Sequence, residues 1–306
     1  MQNKKAISHK NTKQTTDKIP STMMEVKEAT ELLSFLLESL KNKSRNDVKN
    51  LLKNKQVLVD SHAISQFNHP LEKGSKVQIL WKKPIENIKY SGLTIVFEDE
   101  YLIVIEKDAG LLSIATEKQK DKTAYSILSS HVKRQNPSNR IFIVHRLDRD
   151  TSGLMMFAKS EKIQQLLQEN WGESIDERTY LALVEGMVEQ ESGTITSFLL
   201  ESKARVVYSN HQSEEGQKAI THYKVLQKNK KYSLLEVSLE TGRKNQIRVH
   251  AKDIGHCVVG DKKYGATSDP IKRLGLHAWV LAFKHPITKL DLRFETPILP
   301  KFLSVF

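Results

Sequence analysis

A series of short β-rich runs, from residue 93 to the C-terminus, constrains the fold of this 306-residue chain more than any other feature. Helical patterns are fewer and occur near residues 124–135, 161–171 and 246–254. Because strands and helices do not alternate regularly, the pattern predicts an α+β domain and not a parallel α/β domain. The predicted strands, rich in β-branched and aromatic residues, lie at residues 93–97, 101–105, 141–144, 154–158, 180–184, 220–226, 234–239, 276–283 and 290–294.

A smaller unit precedes this domain. Apolar residues over 26–40 recur at intervals of three and four, which predicts a helix with one buried face. Ser44 and Asp47 have the form of a capping box, which predicts the start of a second helix. Short strands are predicted at 57–59 and 77–81. The unit is therefore expected to be a small α/β domain.

The composition along the chain indicates four parts. Residues 1–22 contain five lysines, one aspartate and no apolar block, so a solvated basic tail without a secretion signal is expected. The small α/β unit spans 23–82. A polar stretch without periodicity at 83–92 is predicted to be a linker, and the α+β domain spans 93–306.

Two further observations bear on the compartment. Cys257 is the only cysteine, so the chain forms no internal disulfide and suits a reducing compartment. No apolar run approaches the length that crosses a membrane. A cytoplasmic protein is therefore expected.

The net charge of +12 predicts attraction to polyanions, with nucleic acid as the leading partner. The alternative is that the lysines only maintain solubility. The second helix and its approach concentrate positive charge against Asp47 alone. The residues that carry this charge are Lys41, Lys43, Arg45, Lys49, Lys53 and Lys55.

The arrangement of the small unit resembles the RNA-binding module known as the S-four domain. This resemblance implies that Arg45, Lys49 and Lys53 bind RNA, whereas a solvated helix face is the competing interpretation. The matching segments are residues 33–36, 44–52, 57–60 and 71–77.

The sequence lacks the motifs of several enzyme classes: a Walker loop, a His-Glu-x-x-His pattern, a cysteine cluster and a Gly-x-Ser-x-Gly elbow. Sites built from carboxylates, tyrosine and arginine remain. Segment 145–153 is the densest in such residues and lies between two apolar strands, as expected of a loop at a strand end. A polar turn with a purely structural role would have the same composition.

Segment 145–154 reads His-Arg-Leu-Asp-Arg-Asp-Thr-Ser-Gly-Leu and resembles the signature of the RluA-type pseudouridine synthases. The resemblance implies a mostly antiparallel mixed sheet from about residue 93 onward. It also implies that Asp148 is the catalytic nucleophile, Tyr180 the active-site tyrosine and Arg248 the arginine that pairs with the nucleophile. Further matching segments are 178–186, 241–250, 255–256, 260–265 and 276–278.

The residue types suit the implied reaction, which detaches uracil from ribose, turns it and rejoins it through a ring carbon. An ionised carboxylate can act as the nucleophile, and a guanidinium keeps it charged. Whether Asp148 attacks the base or the ribose stays open. Tyr180 can stack on an extruded base, although a lone tyrosine in a strand is ordinarily a core residue. Arg146 and Arg243 are candidates for RNA contacts.

No cofactor or metal is expected, because the reaction requires none and the spacing of His250, His256 and His277 is not that of a chelating pair. Two positions depart from the family pattern. Asp108 stands where proline commonly follows lysine, and Asn245 stands where histidine is common.

RNA is the partner that the resemblance requires, and a monomer without an obligate protein partner is expected. The S-four-like unit favours large-subunit ribosomal RNA as the substrate, with transfer RNA as the alternative. The competing hypotheses are a non-catalytic RNA-binding assembly factor and a carboxylate-based glycosidase, which would release free base. The presence of Asp148, Tyr180 and Arg248 together disfavours a decayed enzyme.

Overall fold

The computed structural model describes residues 21–54, 56–60, 62–81, 88–116, 122–169, 171–210 and 215–306. The chain divides into two compact units, with the boundary between Glu86 and Asn87. The predicted basic tail lies, up to residue 20, outside the described residues.

The first unit is a small α/β arrangement with a four-stranded sheet. Strands β1, β6, β3 and β4 lie side by side in that order, and β2 pairs separately with β5. The elements are β1 (Ser21–Glu25), β2 (Thr30–Glu31), α1 (Leu32–Ser39), α2 (Arg45–Lys53), β3 (Val57–Val59), β4 (His62–Ala63), β5 (Pro70–Leu71) and β6 (Lys76–Leu80).

The start of this unit differs from the prediction. The helix expected from residue 26 begins only at Leu32, because residues 21–25 pair as strand β1 with β6 and Val26 donates to the carbonyl of Ser75 at 3.0 Å. Ser21 and Thr22, assigned to the tail, are part of that strand. The apolar spacing of three and four therefore extends upstream of the helix, into residues whose backbone hydrogen bonds are made to segments distant in sequence.

The start of the second helix was predicted correctly. The Ser44 hydroxyl accepts from the Asp47 amide at 3.2 Å, and the Asp47 carboxylate accepts from the Ser44 amide at 3.0 Å. This capping box satisfies two of the backbone donors that a helix start leaves free.

The second unit is built on one twelve-stranded sheet. Its main path runs β14-β13-β15-β16-β12-β17-β11-β9-β8-β7, with β10 beside β11 and β18 beside β17. The elements are β7 (Ile88–Tyr90), β8 (Leu93–Glu98), β9 (Leu102–Lys107), α3 (Ala124–Gln135), β10 (Phe142–Ile143), β11 (Ser152–Ala158), α4 (Glu161–Glu169), α5 (Trp171–Ser174), β12 (Ile175–Glu185), β13 (Ser192–Glu201), β14 (Val207–Asn210), β15 (Gln217–Lys228), β16 (Tyr232–Leu239), α6 (Gln246–Asp253), a 3₁₀ turn (Lys262–Tyr264), β17 (Leu276–Lys284), β18 (Asp291–Glu295) and α7 (Pro300–Leu303).

The sheet confirms the predicted α+β class with a mostly antiparallel mixed sheet. Its pairings are antiparallel except between β11 and β17, which run parallel. Helix α3 packs on one face and α4 on the other, so the central strands are buried on both sides. Burial on both sides explains the continuous apolar runs of β9 and β11.

Three strands of this unit were not predicted. β13 and β14 carry mostly polar, partly exposed side chains, so hydrophobic alternation does not mark them and pairing with neighbours defines them. β7 lies in the predicted linker 83–92 and pairs with β8 at the sheet edge, so residues 88–90 belong to the second unit.

Candidate active site

The parallel pairing of β11 and β17 brings the candidate residues together. Gly153 lies opposite Ala278, and Ala278 on its other side lies opposite Tyr180 of β12. The loop before β11, which carries Asp148, therefore ends beside the strand that carries Tyr180. Asp148 and Tyr180, 32 positions apart in sequence, are thus brought near each other because β17 pairs with both β11 and β12.

The buried side chain of Lys107 anchors the loop that carries Asp148. Its side chain is fully buried, and its ammonium donates to the carbonyls of Asp108, Leu111 and Arg149 at 2.9, 2.8 and 3.0 Å. Burial lowers the pKa of Lys107 to about 8, while the charge of Asp150 opposes that shift. The side chain thus still carries its three donors at neutral pH.

Two further side chains hold the loop. The Ser113 hydroxyl donates to the Leu147 carbonyl at 2.7 Å and accepts from the Leu147 amide at 3.2 Å. His145 accepts from the Met156 amide at 3.1 Å, and burial lowers the pKa of His145 to about 3, so its ring stays neutral. The backbone next to Asp148 is therefore held by Ser113 from outside the loop and by the bond of the loop residue His145 to strand β11.

The predicted catalytic and cleft residues line one open cleft of about 290 Å³. Asp148 and Tyr180 lie at it with Arg248, and its remaining cationic side chains make it strongly positive. These cations are Arg146, Arg178, Arg243 and Lys244. A cleft of this charge is suited to a phosphate-bearing substrate.

Arg248 has a closer partner than the predicted one. Its Nη1 lies 3.6 Å from Oδ2 of Asp148, an ion-pair distance beyond hydrogen-bond range. Its Nε and Nη2 donate to the two oxygens of Asp261 at 2.6 and 2.7 Å. Burial alone would lower the pKa of Arg248, but the hydrogen bonds and charge of Asp261, assisted by Asp148, outweigh burial and raise that pKa.

Tyr180 is 7% exposed at the cleft. Burial raises its pKa, with the charge of Arg178 acting in the opposite direction and that of Asp148 in the same one. Tyr180 is therefore a neutral phenol that presents an aromatic surface beside Asp148 and keeps its proton at neutral pH.

The prediction assigned no role to several residues that build the site. Lys107, Ser113, Arg178 and Asp261 carry no individual sequence signal beyond lying in or near the matching segments. Arg178 donates to the Thr241 carbonyl at 3.2 Å and so anchors the loop that carries Arg243. Two positions of spacing between Arg178 and Tyr180 on one strand could have indicated a shared face.

The three histidines have protein partners. His277 hydrogen-bonds Ser152 and Thr296, and His250 hydrogen-bonds Thr221 and Ser197. His256 contacts the carbonyl of residue 185. Among the described residues, no group of three or more histidine, cysteine or acidic side chains could hold a metal ion.

Arg45, Lys49 and Lys53 lie on α2 of the first unit, whereas the residues that line the cleft belong to the second unit. All three are exposed, and their spacing of four residues places them on one helix face. Over the described part of the chain, no helix is long and apolar enough to cross a membrane.

Lys107→Met is expected to lower the free energy of unfolding by about 2–4 kcal/mol, because three carbonyls lose their buried donor. Urea denaturation measures the loss. Lys133→Met makes the same chemical change on the exposed side of α3 and is expected to be neutral within about 0.5 kcal/mol. Equal stabilities of the two variants would show that Lys107 does not anchor the loop.

Comparison with known structures identifies the fold. A human protein, RNA Pseudouridylate Synthase Domain Containing 4, superposes with a TM-score of 0.57 at 22% identity, over 68% of this chain and 90% of that one. The fold of the chain is thus that of the pseudouridylate synthases.

The family is shown by sequence. Residues 101–253 match the RNA pseudouridylate synthase family model. An uncharacterized RNA pseudouridine synthase of Bacillus subtilis, YhcT, is 33% identical over 87% of this chain and 89% of the relative. Ribosomal large subunit pseudouridine synthase D of Nitrosomonas europaea is 34% identical over 86% and 79%. The chain belongs to the RNA pseudouridylate synthase family and is an RNA-modifying isomerase, so the predicted resemblance to the RluA-type pseudouridine synthases is confirmed.

Proposed function

We propose that the chain isomerises a specific uridine of large-subunit ribosomal RNA to pseudouridine, with Asp148 as the nucleophile. One observation carries the proposal: Asp148, Tyr180 and Arg248 lie together at a cationic cleft. The side chain of Asp148 is 29% exposed, so its carboxylate is accessible to a nucleotide that enters the cleft.

The residues of the cleft divide the work. The Asp148 carboxylate attacks the bound nucleotide while the bond between ribose and the ring nitrogen breaks. The freed ring turns, its carbon bonds to ribose, and the bond to Asp148 breaks, which restores the carboxylate. The ring carbon loses its proton and the ring nitrogen gains one, so the product is an isomer of the substrate. Tyr180 supplies a stacking surface for the turning base. Its hydroxyl assists the late transfer of the proton that the ring carbon loses.

The cations around Asp148 act on the RNA backbone. Arg146 is exposed next to the nucleophile and is suited to the place in the RNA that the extruded base leaves. Arg243 is directed by its Nε, which donates to the Lys218 carbonyl at 3.2 Å, and is suited to a neighbouring phosphate. Contacts of this kind offset the few kcal/mol that base extrusion costs.

The choice of ribosomal RNA rests on two supports. The Nitrosomonas europaea relative is named for the large ribosomal subunit. The first unit carries the exposed row Arg45, Lys49 and Lys53, which fits an S-four-like module that binds structured RNA. Transfer RNA is the alternative substrate.

The direct experiment compares pseudouridine maps of total RNA from cells with and without the gene, and repeats the modification in vitro with purified protein. Loss of a site in large-subunit ribosomal RNA, restored in vitro, is the expected result. Loss of a transfer RNA site instead would replace the substrate. No lost site and no product in vitro would contradict the proposal.

Replacing Arg45, Lys49 and Lys53 together by glutamine is expected to weaken RNA binding about 10- to 100-fold at low salt and to reduce the salt slope of binding by about 2 to 3. Turnover at saturating RNA should be unchanged. Filter binding over a salt series measures both quantities. The matched control replaces three exposed helix lysines of the second unit, Lys133, Lys162 and Lys301, by glutamine. Equal losses in both variants would reduce the α2 effect to net charge.

A further inference from the structure

Arg248 is held in place by groups other than Asp148. A guanidinium has five N–H donors. The Nε donor and one Nη2 donor bind the two oxygens of Asp261, and one Nη1 donor binds the Asn245 side-chain oxygen at 3.1 Å. The guanidinium also lies over the ring of Tyr264, 4.9 Å from its centroid. These contacts fix the orientation of the guanidinium without a contribution from Asp148.

The carboxylate that holds it is built into a rigid turn. The Asp261 side chain is 1% exposed. Its backbone carbonyl accepts from the amides of Tyr264, Gly265 and Ala266 at 3.0, 3.1 and 3.1 Å. Burial of a carboxylate without a partner would be costly, and the two-pronged contact with Arg248 supplies an aligned cation.

Asn245 and Tyr264 close the arrangement. Asn245 has a left-handed backbone, with φ of 55°, and precedes helix α6. Its amide nitrogen donates to the Tyr264 hydroxyl at 2.9 Å while its oxygen accepts from Arg248. The asparagine that departs from the usual histidine thus links the stacking ring to the guanidinium.

The contact with Asp261 determines which side of Arg248 faces the proposed nucleophile, Asp148. If Arg248 bound Asp148 through its Nε–Nη2 edge, both carboxylate oxygens would accept charge-assisted hydrogen bonds, which would lower their nucleophilicity. Asp261 occupies that edge, so Asp148 meets only the Nη1 side, at 3.6 Å. Arg248 therefore balances the charge of Asp148 without a hydrogen bond to it.

We propose that Asp261 is a positioning residue for the isomerisation: it binds the Nε–Nη2 edge of Arg248 and so holds Nη1 toward Asp148, and Asn245 fixes the remaining rotation. The inference rests on the proposed role of Asp148 as the nucleophile. It assigns to Asp261 an effect on turnover that is transmitted through Arg248 and does not involve contact with the RNA.

The test is Asp261→Asn in the full chain, with kcat and RNA affinity measured separately. The variant is expected to lower kcat about 30- to 100-fold because Arg248 is misplaced, and to leave the Kd for RNA within about twofold. The matched control is Asp269→Asn, the same change on the following loop, where the carboxylate accepts from the Arg273 amide. The control should retain kcat within about twofold.

A double-mutant cycle separates positioning from structural damage. In the Arg248→Lys background, measured under single-turnover conditions, Asp261→Asn should lower the rate less than about threefold further, because lysine has no two-pronged edge. A loss as large as in the wild-type background would overturn the proposal. So would a kcat of Asp261→Asn within about threefold of wild type.

Asn245→Gly supplies a second variant that is compatible with the left-handed backbone. It is expected to lower kcat about 5- to 10-fold, again only when Arg248 is present. Its independence from Arg248 would count against the proposal even if Asp261→Asn failed to fold. A wild-type protein without pseudouridine product would instead refute the proposed function, so the two failures are distinguishable.

Discussion

Asp148→Asn is expected to abolish pseudouridine formation, with turnover at least about 10³-fold below that of the wild-type protein. The amide keeps the size of the side chain but has no ionised oxygen to attack the nucleotide. Binding of RNA should change less than about threefold, because the cations of the cleft and of α2 are untouched. Single-turnover assays with labelled RNA measure the first quantity and filter binding the second.

The control for this experiment is Asp150→Asn. Asp150 lies in the same loop, but its carboxylate accepts from the Arg149 guanidinium at 3.0 Å and does not line the cleft. Its loss should lower turnover less than about tenfold. Retained turnover in Asp148→Asn would remove the nucleophile from the mechanism, and free uracil among the wild-type products would indicate a glycosidase.

Gly153→Ala is expected to lower the free energy of unfolding by more than about 4 kcal/mol. A Cβ at this position would lie 2.1 Å from the carbonyl oxygen and 2.6 Å from the amide nitrogen of Ala278, and the backbone has φ of 111°. The contact is with backbone of the neighbouring parallel strand, which cannot move without breaking the pairing of β11 with β17.

Gly255→Ala is the matched control. Its φ of 81° imposes the same kind of backbone strain, but a Cβ there meets nothing within 4 Å. The control should therefore lose only about 1 kcal/mol in urea denaturation. A Gly153 variant no less stable than the Gly255 variant would show that the close strand approach is absent.

The sequence predicted those parts of the fold in which one local pattern dominates. The helix over Ala124–Gln135, the capping box at Ser44 and the hairpin of β8 and β9 follow from periodicity or side-chain capping within a few residues. The patterns failed where pairing with a distant strand defines the element, as in β1 and β13. Such pairing leaves little trace in the polarity of the strand itself.

The family and the identity of the cleft residues could be predicted from the sequence, because a ten-residue segment around Asp148 and the segments around Tyr180 and Arg248 occur together in order. The contacts that hold those residues in place could be seen only in the folded chain. Lys107 donates to the Arg149 carbonyl, and Arg248, predicted to pair with Asp148, forms its hydrogen bonds to a carboxylate with Asp261. A buried charged side chain pairs with whichever polar or oppositely charged group the fold places next to it. Spacing along the sequence does not specify which distant segments the fold brings together.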